Sequence, residues 1–395
     1  MKIEDKLILP RGFTAAGTAA GIKRNGGKDM SLVVSDRPAV VAGTFTTNQI
    51  KAATVKLCME RLKRRTGRAI VVNSGNANAC NGEQGLRDAT DMAARAAEKL
   101  GLNPKDVYVS STGSIGVPMP MDKIRAGIDA LAKKVSHDGG NDAMQGILTT
   151  DRWPKCATVQ LKIDGQPITI SAFAKGAGMI EPNMATMLCY LLTDGVVDAK
   201  SLQTCLSDAV KDSFNRISVD GDMSTNDTVL FFANGAAENT PLTTRSKEWK
   251  HFVAAVRAIT LKLALSMVKD GEGATKLVTI RVTGAKTEAD AEKAGRAVAN
   301  SLLVKTSWNG GRCNWGRVMD ALGYSEAKVD EGRVRIFYDD VLAVRNGRPA
   351  GAPRDALDKV TAQEQFTLNI DLGVGRGSSY VYACDCGHPY IDINV

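Results

Sequence analysis

Apolar residues recur along this chain at two periods, close to 2 and close to 3.6, and the alternation between them marks out strands and helices. Residues 31–46 carry two short β-rich runs broken at Asp36-Arg37-Pro38, which predicts two strands and a turn. Residues 68–73 and 107–110 read as further short strands. Residues 157–162 and 168–174 flank Asp164-Gly165, a strong hairpin signal. Residues 187–192 form a continuous apolar run, the pattern of a buried strand. Helical spacing appears in Leu86, Ala89, Ala93, Ala96 and Leu100, and again in Ile124, Ile128 and Leu131. It returns in Leu202, Cys205, Leu206, Ala209 and Phe214, and in Phe252, Val256, Ile259, Leu263 and Met267. In the last third, strands at 333–337, 366–372 and 380–384 accompany a helix at 288–302, with no low-complexity linker. Mixed helices and strands without a regular βαβ alternation predict an α+β or layered α/β protein.

The 395 residues suffice for two lobes or one large layered domain, and 44% hydrophobic residues suffice for a packed core. The net charge of +8 is spread out; its densest cluster, Lys63-Arg64-Arg65 with Arg68, has no interleaved aromatics, so nucleic acid is not an expected partner. A mild positive field suits small carboxylate substrates. The eight cysteines are scattered, mostly in apolar runs, which predicts buried free thiols and a cytoplasmic protein. Cys384-Asp385-Cys386 with His388 is a tight Cys/His group, but its Cys-x-Cys spacing has no second pair, so no metal is assigned. The first ten residues lack an apolar signal core. No run is expected to reach the roughly 20 apolar residues that span a bilayer.

Several polar stretches interrupt this framework. Residues 74–78 form a loop too rich in Asn and Gly to be core; it reads equally as a plain turn cluster and as a loop of amides near a site. The strand at 107–110 empties into Ser111-Thr112-Gly113-Ser114, where glycine lets the backbone approach a ligand closely. Glu272 lies between glycines where the helix ending near Met267 stops. Asp220-Gly221-Asp222 begins like a calcium loop but has Thr225 at its sixth position and Phe231 at its twelfth, so calcium is rejected. Gly373-Val374-Gly375-Arg376-Gly377 has the wrong spacing for a dinucleotide fingerprint, and no Walker lysine motif occurs; no cofactor is expected.

The central feature is a threonine at a loop-to-strand junction. Lys175-Gly176-Ala177-Gly178-Met179-Ile180-Glu181-Pro182-Asn183-Met184-Ala185-Thr186 leads into the apolar run. Cutting the bond before Thr186 would give this residue both a hydroxyl nucleophile and a free α-amine. With a pKa of about 7.7–8.0 the amine keeps a usable neutral fraction near pH 7, so it can act as the base. The same pattern also describes an ordinary threonine at the start of a strand.

This segment resembles the self-cleavage segment of the ornithine acetyltransferase family, the glutamate N-acetyltransferases of arginine biosynthesis. The resemblance continues in the family's order along the chain. It runs through Pro10-Arg11-Gly12-Phe13, Val71-Val72-Asn73-Ser74-Gly75-Asn76-Ala77-Asn78-Ala79-Cys80, Ser111-Thr112-Gly113 and Thr149-Thr150-Asp151. It goes on through Val219-Asp220-Gly221-Asp222, Asp270-Gly271-Glu272-Gly273-Ala274-Thr275-Lys276 and Asn314-Trp315-Gly316-Arg317.

The resemblance implies an α-β-β-α sandwich like that of self-processing N-terminal-nucleophile aminopeptidases. It implies cleavage between Ala185 and Thr186 into an α chain (1–185) and a β chain (186–395), assembled as two α and two β chains. Thr186 would carry the acetyl group from N-acetylornithine to glutamate in a ping-pong reaction, with Thr112 and Gly113 as the oxyanion hole. Thr149, Lys175, Thr186, Glu272 and Asn394 would hold the substrate; Thr150, next to Thr149, is an alternative for that contact. Whether acetyl-CoA can also donate is not readable from the sequence. The family's chains usually continue a few residues past the equivalent of Asn394 to a Ser or Thr that touches substrate, whereas this sequence stops at Val395, so either the sequence is truncated or that contact is missing. Two other classes share the pattern: a self-processed threonine amidase or aminopeptidase with water as acceptor, and a binding protein that is never cut.

Overall fold

The computed structural model describes residues 1–181 and 187–395. The described residues fall into two compact units: 1–176, 187–215 and 223–264 in the first; 177–181, 216–222 and 265–395 in the second.

In the first unit the strands are β1 (Phe13–Thr18), β2 (Met30–Phe45), β3 (Thr66–Asn76), β4 (Val107–Ser114), β5 (Lys155–Ile163), β6 (Gln166–Lys175) and β7 (Leu188–Thr193). After a two-residue strand β8 (Ile217–Ser218) in the second unit, the chain adds β9 (Thr228–Ala233) to the first. These strands form a mixed sheet in the order β4-β3-β2-β9-β7-β6-β5, with β1 on β2. Helices α1 (Ala53–Leu62), α2 (Gly82–Leu100), α3 (Met121–Lys134), α4 (Gly140–Gly146) and α5 (Ala199–Lys211) pack on it. All six residues of β7 are buried, as its unbroken apolar run requires for a strand with neighbours on both sides. The β5–β6 hairpin turns at Asp164 and Gly165, whose φ values of 48° and 81° suit an Asp-Gly pair.

The expected break at Asp36-Arg37-Pro38 is instead a bulge inside one 16-residue strand. The register with β3 shifts between Val34 and Ala39, and residues 36–38 are exposed, so Pro38 costs no ladder bond at a paired position. The part of β2 before the bulge pairs with β1, and the part from Val40 to Phe45 pairs with β9.

The helix α6 (Trp249–Lys269) runs on into the second unit from Leu265. Its 21 residues are long and apolar enough to cross a bilayer by length and composition, against the expectation of no such run. Half of its apolar window is buried in protein, and Phe252, Ala255, Val256, Ile259 and Leu263 are core residues. That burial accounts for its hydrophobicity.

The second unit is built on β10 (Leu277–Ala285), β11 (Arg335–Tyr338), β12 (Val341–Arg345), β13 (Arg348–Pro349), β14 (Gln365–Asp371) and β15 (Gly377–Cys384). They pair in the order β13-β12-β11-β14-β10-β15-β8. Its helices are α7 (Glu288–Asn300), α8 (Leu302–Asn309), α9 (Trp315–Gly323), α10 (Arg354–Thr361) and α11 (His388–Asn394). Strand β10 was not among the expected strands, although Val278, Ile280 and Val282 alternate inward in the strand period. Each unit is thus a mixed sheet covered by helices around its own core, the layered α+β class that the pattern predicts.

The eight cysteines are free thiols, with Cys58, Cys189, Cys205, Cys313 and Cys384 buried and Cys80 exposed. Asp385, between Cys384 and Cys386, accepts hydrogen bonds from the Thr275 hydroxyl, the Thr275 and Lys276 amides and Asn309 Nδ2, so its carboxylate is committed to the fold. Asp220 likewise accepts the amides of Met179, Ile180 and Asp222.

Candidate active site

Parallel pairing of β3 with β4 sets Ser74 opposite Thr112 and Gly75 opposite Gly113. Here the two strands close so tightly that a Cβ on Gly113 would lie 2.4 Å from the Gly75 carbonyl carbon. Gly113 also has φ 131°, in the region L residues avoid, so this position requires glycine twice over. Thr112 is buried and Gly113 exposed, which puts a bare backbone step at the surface directly beside a covered side chain.

The polar stretch 74–78 under this step is not an exposed loop. Asn73, Ser74, Asn76 and Asn78 are all buried, and the strand continues through Asn76. Their side chains serve the backbone. Asn76 Nδ2 donates to the carbonyls of Val117 and Pro118, Asn78 Nδ2 to Gly85 O, and Asn73 Nδ2 to Asn76 O. Ser111 Oγ donates to Asn73 Oδ1 and Ser74 Oγ to Gly146 O. Amide side chains both donate and accept, so they can satisfy backbone groups that leave the regular ladder.

Lys175, the last residue of β6, is buried and its ammonium lies 3.4 Å from Thr112 Oγ1. Asp151 organises the surroundings. Its Oδ1 accepts from Lys155 Nζ and from the Gly176 amide, each at 2.7 Å, and its Oδ2 accepts from the Thr149 amide at 3.1 Å. Lys175 Nζ is 4.0 Å from the same Oδ2, and both the Lys155 and Asp151 side chains are fully buried. Burial alone would push the Asp151 carboxyl up; the charges of Lys175 and Lys155, with the Lys155 and Gly176 hydrogen bonds, outweigh it and hold it at about 2. Asp151 therefore ties together Thr149, Lys175 and the chain leaving β6. Nothing in the sequence assigns Asp151 a role, because an aspartate after two threonines carries no sign of burial. Thr149 is half-buried and Thr150 exposed.

In the second unit, Glu272 is buried after the end of α6 rather than displayed in an open loop. Asn394 Nδ2 donates to its Oε2 at 2.7 Å, and the Glu272 amide donates to Ala177 O at 2.8 Å. Gly178 makes room for this carboxylate: a Cβ there would lie 2.5 Å from Glu272 Oε1. The structure thus brings Thr112, Gly113, Thr149 and Lys175 into one neighbourhood in the first unit, and Glu272 and Asn394 into another in the second. Ala185 and Thr186 lie outside the described residues.

A family model described as the ArgJ family matches residues 14–395. The arginine biosynthesis bifunctional protein ArgJ of Symbiobacterium thermophilum is 48% identical over 390 residues, which are 98% of this chain and 97% of that protein. The protein of the same name from Geobacter sulfurreducens is 46% identical over 385 residues, 97% of this chain and 98% of its own. A crystal structure of the arginine biosynthesis bifunctional protein from Bacillus halodurans is similar at TM-score 0.49 and 35% identity, over 51% of this chain and 95% of that one.

Proposed function

This chain belongs to the ArgJ family and is an acyltransferase of arginine biosynthesis, and from that premise we propose that it is a self-cleaving acetyltransferase with Thr186 as nucleophile. Cleavage of the Ala185–Thr186 bond leaves an α chain of residues 1–185 and a β chain of residues 186–395. The α-amine freed on Thr186 takes the proton of its own hydroxyl, and the oxygen attacks the acetyl carbonyl of N-acetylornithine. The tetrahedral oxyanion is stabilised at Thr112 and Gly113. Collapse breaks the C–N bond, the departing ornithine amine recovers the proton, and acetyl-Thr186 remains. The amine of glutamate then attacks this ester, the bond from the acetyl carbon to the Thr186 oxygen breaks, the oxygen takes up the proton that the amine gives up through the Thr186 α-amine, and N-acetylglutamate departs. One acetamide is exchanged for another, so no ATP or cofactor is needed.

Thr149, Lys175, Glu272 and Asn394 hold the amino-acid portion of the substrate, Lys175 as a point charge for a carboxylate and Glu272 as a partner for an ammonium. Acetyl-CoA serves as a second donor. The working form is two α and two β chains in the cytoplasm. The observation that carries this reading is the family match over residues 14–395. The buried cation of Lys175 beside Thr112 and the glycine step at Gly113 support it chemically.

The test combines maturation with turnover. On a denaturing gel the 42.0 kDa chain should be replaced by two fragments, the second beginning at Thr186. With N-acetylornithine, glutamate should become acetylated and ornithine released in equal amounts, and CoA release with glutamate should report the second donor. Release of acetate without an acceptor would instead identify a threonine amidase, and a chain that stays whole would remove the nucleophile.

A further inference from the structure

We propose that Asn226 and Asp227 are positioning residues that hold the Met187 amide, next in sequence to Thr186, and the Thr112 strand in fixed places. This deepens the reading of Thr186 as nucleophile and rests on it. Asp227 is fully buried just before β9, and its Oδ1 accepts the Met187 amide at 3.0 Å. That amide is the nitrogen of the peptide bond linking Thr186 to the rest of its chain, so the contact falls one bond beyond the nucleophile's own carbonyl. A second backbone tie follows it, since the Thr228 amide donates to Met187 O at 3.1 Å.

The neighbouring Asn226 reaches the other half of the reaction. Its buried Nδ2 donates to Ser111 O at 2.7 Å and to Ala77 O at 2.6 Å. Ser111 immediately precedes Thr112, so Asn226 holds the peptide that leads into the proposed oxyanion step. Its Oδ1 accepts from the Thr225 hydroxyl and its own amide donates to Ser224 Oγ, which fix the side chain in place. Two consecutive residues therefore grip the two strands whose separation decides whether a nucleophile and an oxyanion donor can face the same carbonyl.

Burial drives the Asp227 carboxyl well above its ordinary value, against the Met187 and Thr46 hydrogen bonds and the Lys175 charge. A fully buried carboxyl is a costly way to hold a backbone amide, because an apolar environment penalises polar and charged groups. Retaining it here suits a site where the position of one peptide matters more than stability.

The experiment compares wild type with Asp227→Ala, Asp227→Asn and Asn226→Ala, reading the cut fraction on a denaturing gel, kcat and KM with N-acetylornithine and glutamate, and the unfolding midpoint. Misplacement of reacting groups by about 1 Å costs on the order of 10²-fold, so Asp227→Ala and Asn226→Ala should lose about that much in kcat with KM within about twofold. Asp227→Asn keeps an oxygen acceptor for the Met187 amide and should stay within about tenfold of wild type. A folded Asp227→Ala enzyme with wild-type cleavage and kcat overturns the proposal, as does a loss confined to KM. Should Asp227→Ala fail to fold, Asn226→Ala at wild-type kcat, or a folded Asp227→Asn enzyme as slow as a Thr186→Ala control, overturns it. A wild type that stays whole overturns the nucleophile reading and this one together, whereas a cut wild type with an equally active Asp227→Ala overturns this one alone.

Discussion

Asp151 shows how one buried carboxylate can govern a neighbourhood. Removing its charge takes a close counter-charge away from two buried ammonium groups, Lys155 and Lys175, and breaking one partner of a buried ion pair typically costs about 3–5 kcal/mol. Asp151→Asn should therefore lower the urea midpoint by a corresponding amount; an unchanged midpoint would show that the two lysines are compensated otherwise. The pH dependence has a definite sign. The folded carboxyl sits at about 2, below its ordinary 3.8, so its stabilisation is fully present above about pH 4 and is lost as pH falls through 2. That difference amounts to about 2 kcal/mol, and Asp151→Asn should flatten this part of the acid unfolding curve. Gly113 makes a different demand. Gly113→Ala forces a Cβ into the Gly75 backbone, so the edge must shift, and loss of one oxyanion donor costs about 10²–10³ in kcat. Steady-state kinetics should show this fall in kcat with little change in KM.

Among the elements, the β5–β6 hairpin offers a clean test of turn chemistry. Gly165 has φ 81°, and a Cβ there would meet nothing within 4 Å. Gly165→Ala should cost only the conformational penalty of a left-handed residue, about 1–2 kcal/mol, with cleavage and activity preserved. Strand β7 is the opposite case, because its cost is one of packing. Leu191 is fully buried, and Leu→Ala at such a site typically costs about 2–5 kcal/mol. Chemical denaturation of the two variants should rank them in that order. These two elements were legible in the sequence because each depends on near neighbours: an Asp-Gly pair between alternating runs, and an unbroken apolar run. The bulge in β2 was less legible. A proline beside two charged residues resembles a turn unless partners on both sides keep the strand extended.

At the scale of the whole molecule, the first sheet explains how a cut chain could stay together. Strand β7 pairs with β6, and β9 pairs with β2, so the two strands that follow the proposed cut lie between strands that precede it within one hydrogen-bonded sheet. The two fragments should therefore coelute in gel filtration under native conditions and separate only in denaturant. A dimer of such pairs would run at twice the 42.0 kDa of one chain. Fragments that separate without denaturant would contradict this pairing.

The sequence by itself determined what depends on local order: the helices α2, α3, α5, α6 and α7, the β5–β6 turn, the buried run of β7, and the succession of motifs shared with one family. Periodicity and turn chemistry act over a few residues, so they survive in a one-dimensional reading. Only the tertiary structure decided burial and partnership among polar residues. Asn76 and Asn78 read as loop yet are buried, and Asp151 and Asp227 carried no mark of their setting. Whether an Asn or Asp faces water or a backbone amide depends on strands far away in the chain. Asn226 meets Ser111 across 115 positions, and no local period encodes that meeting.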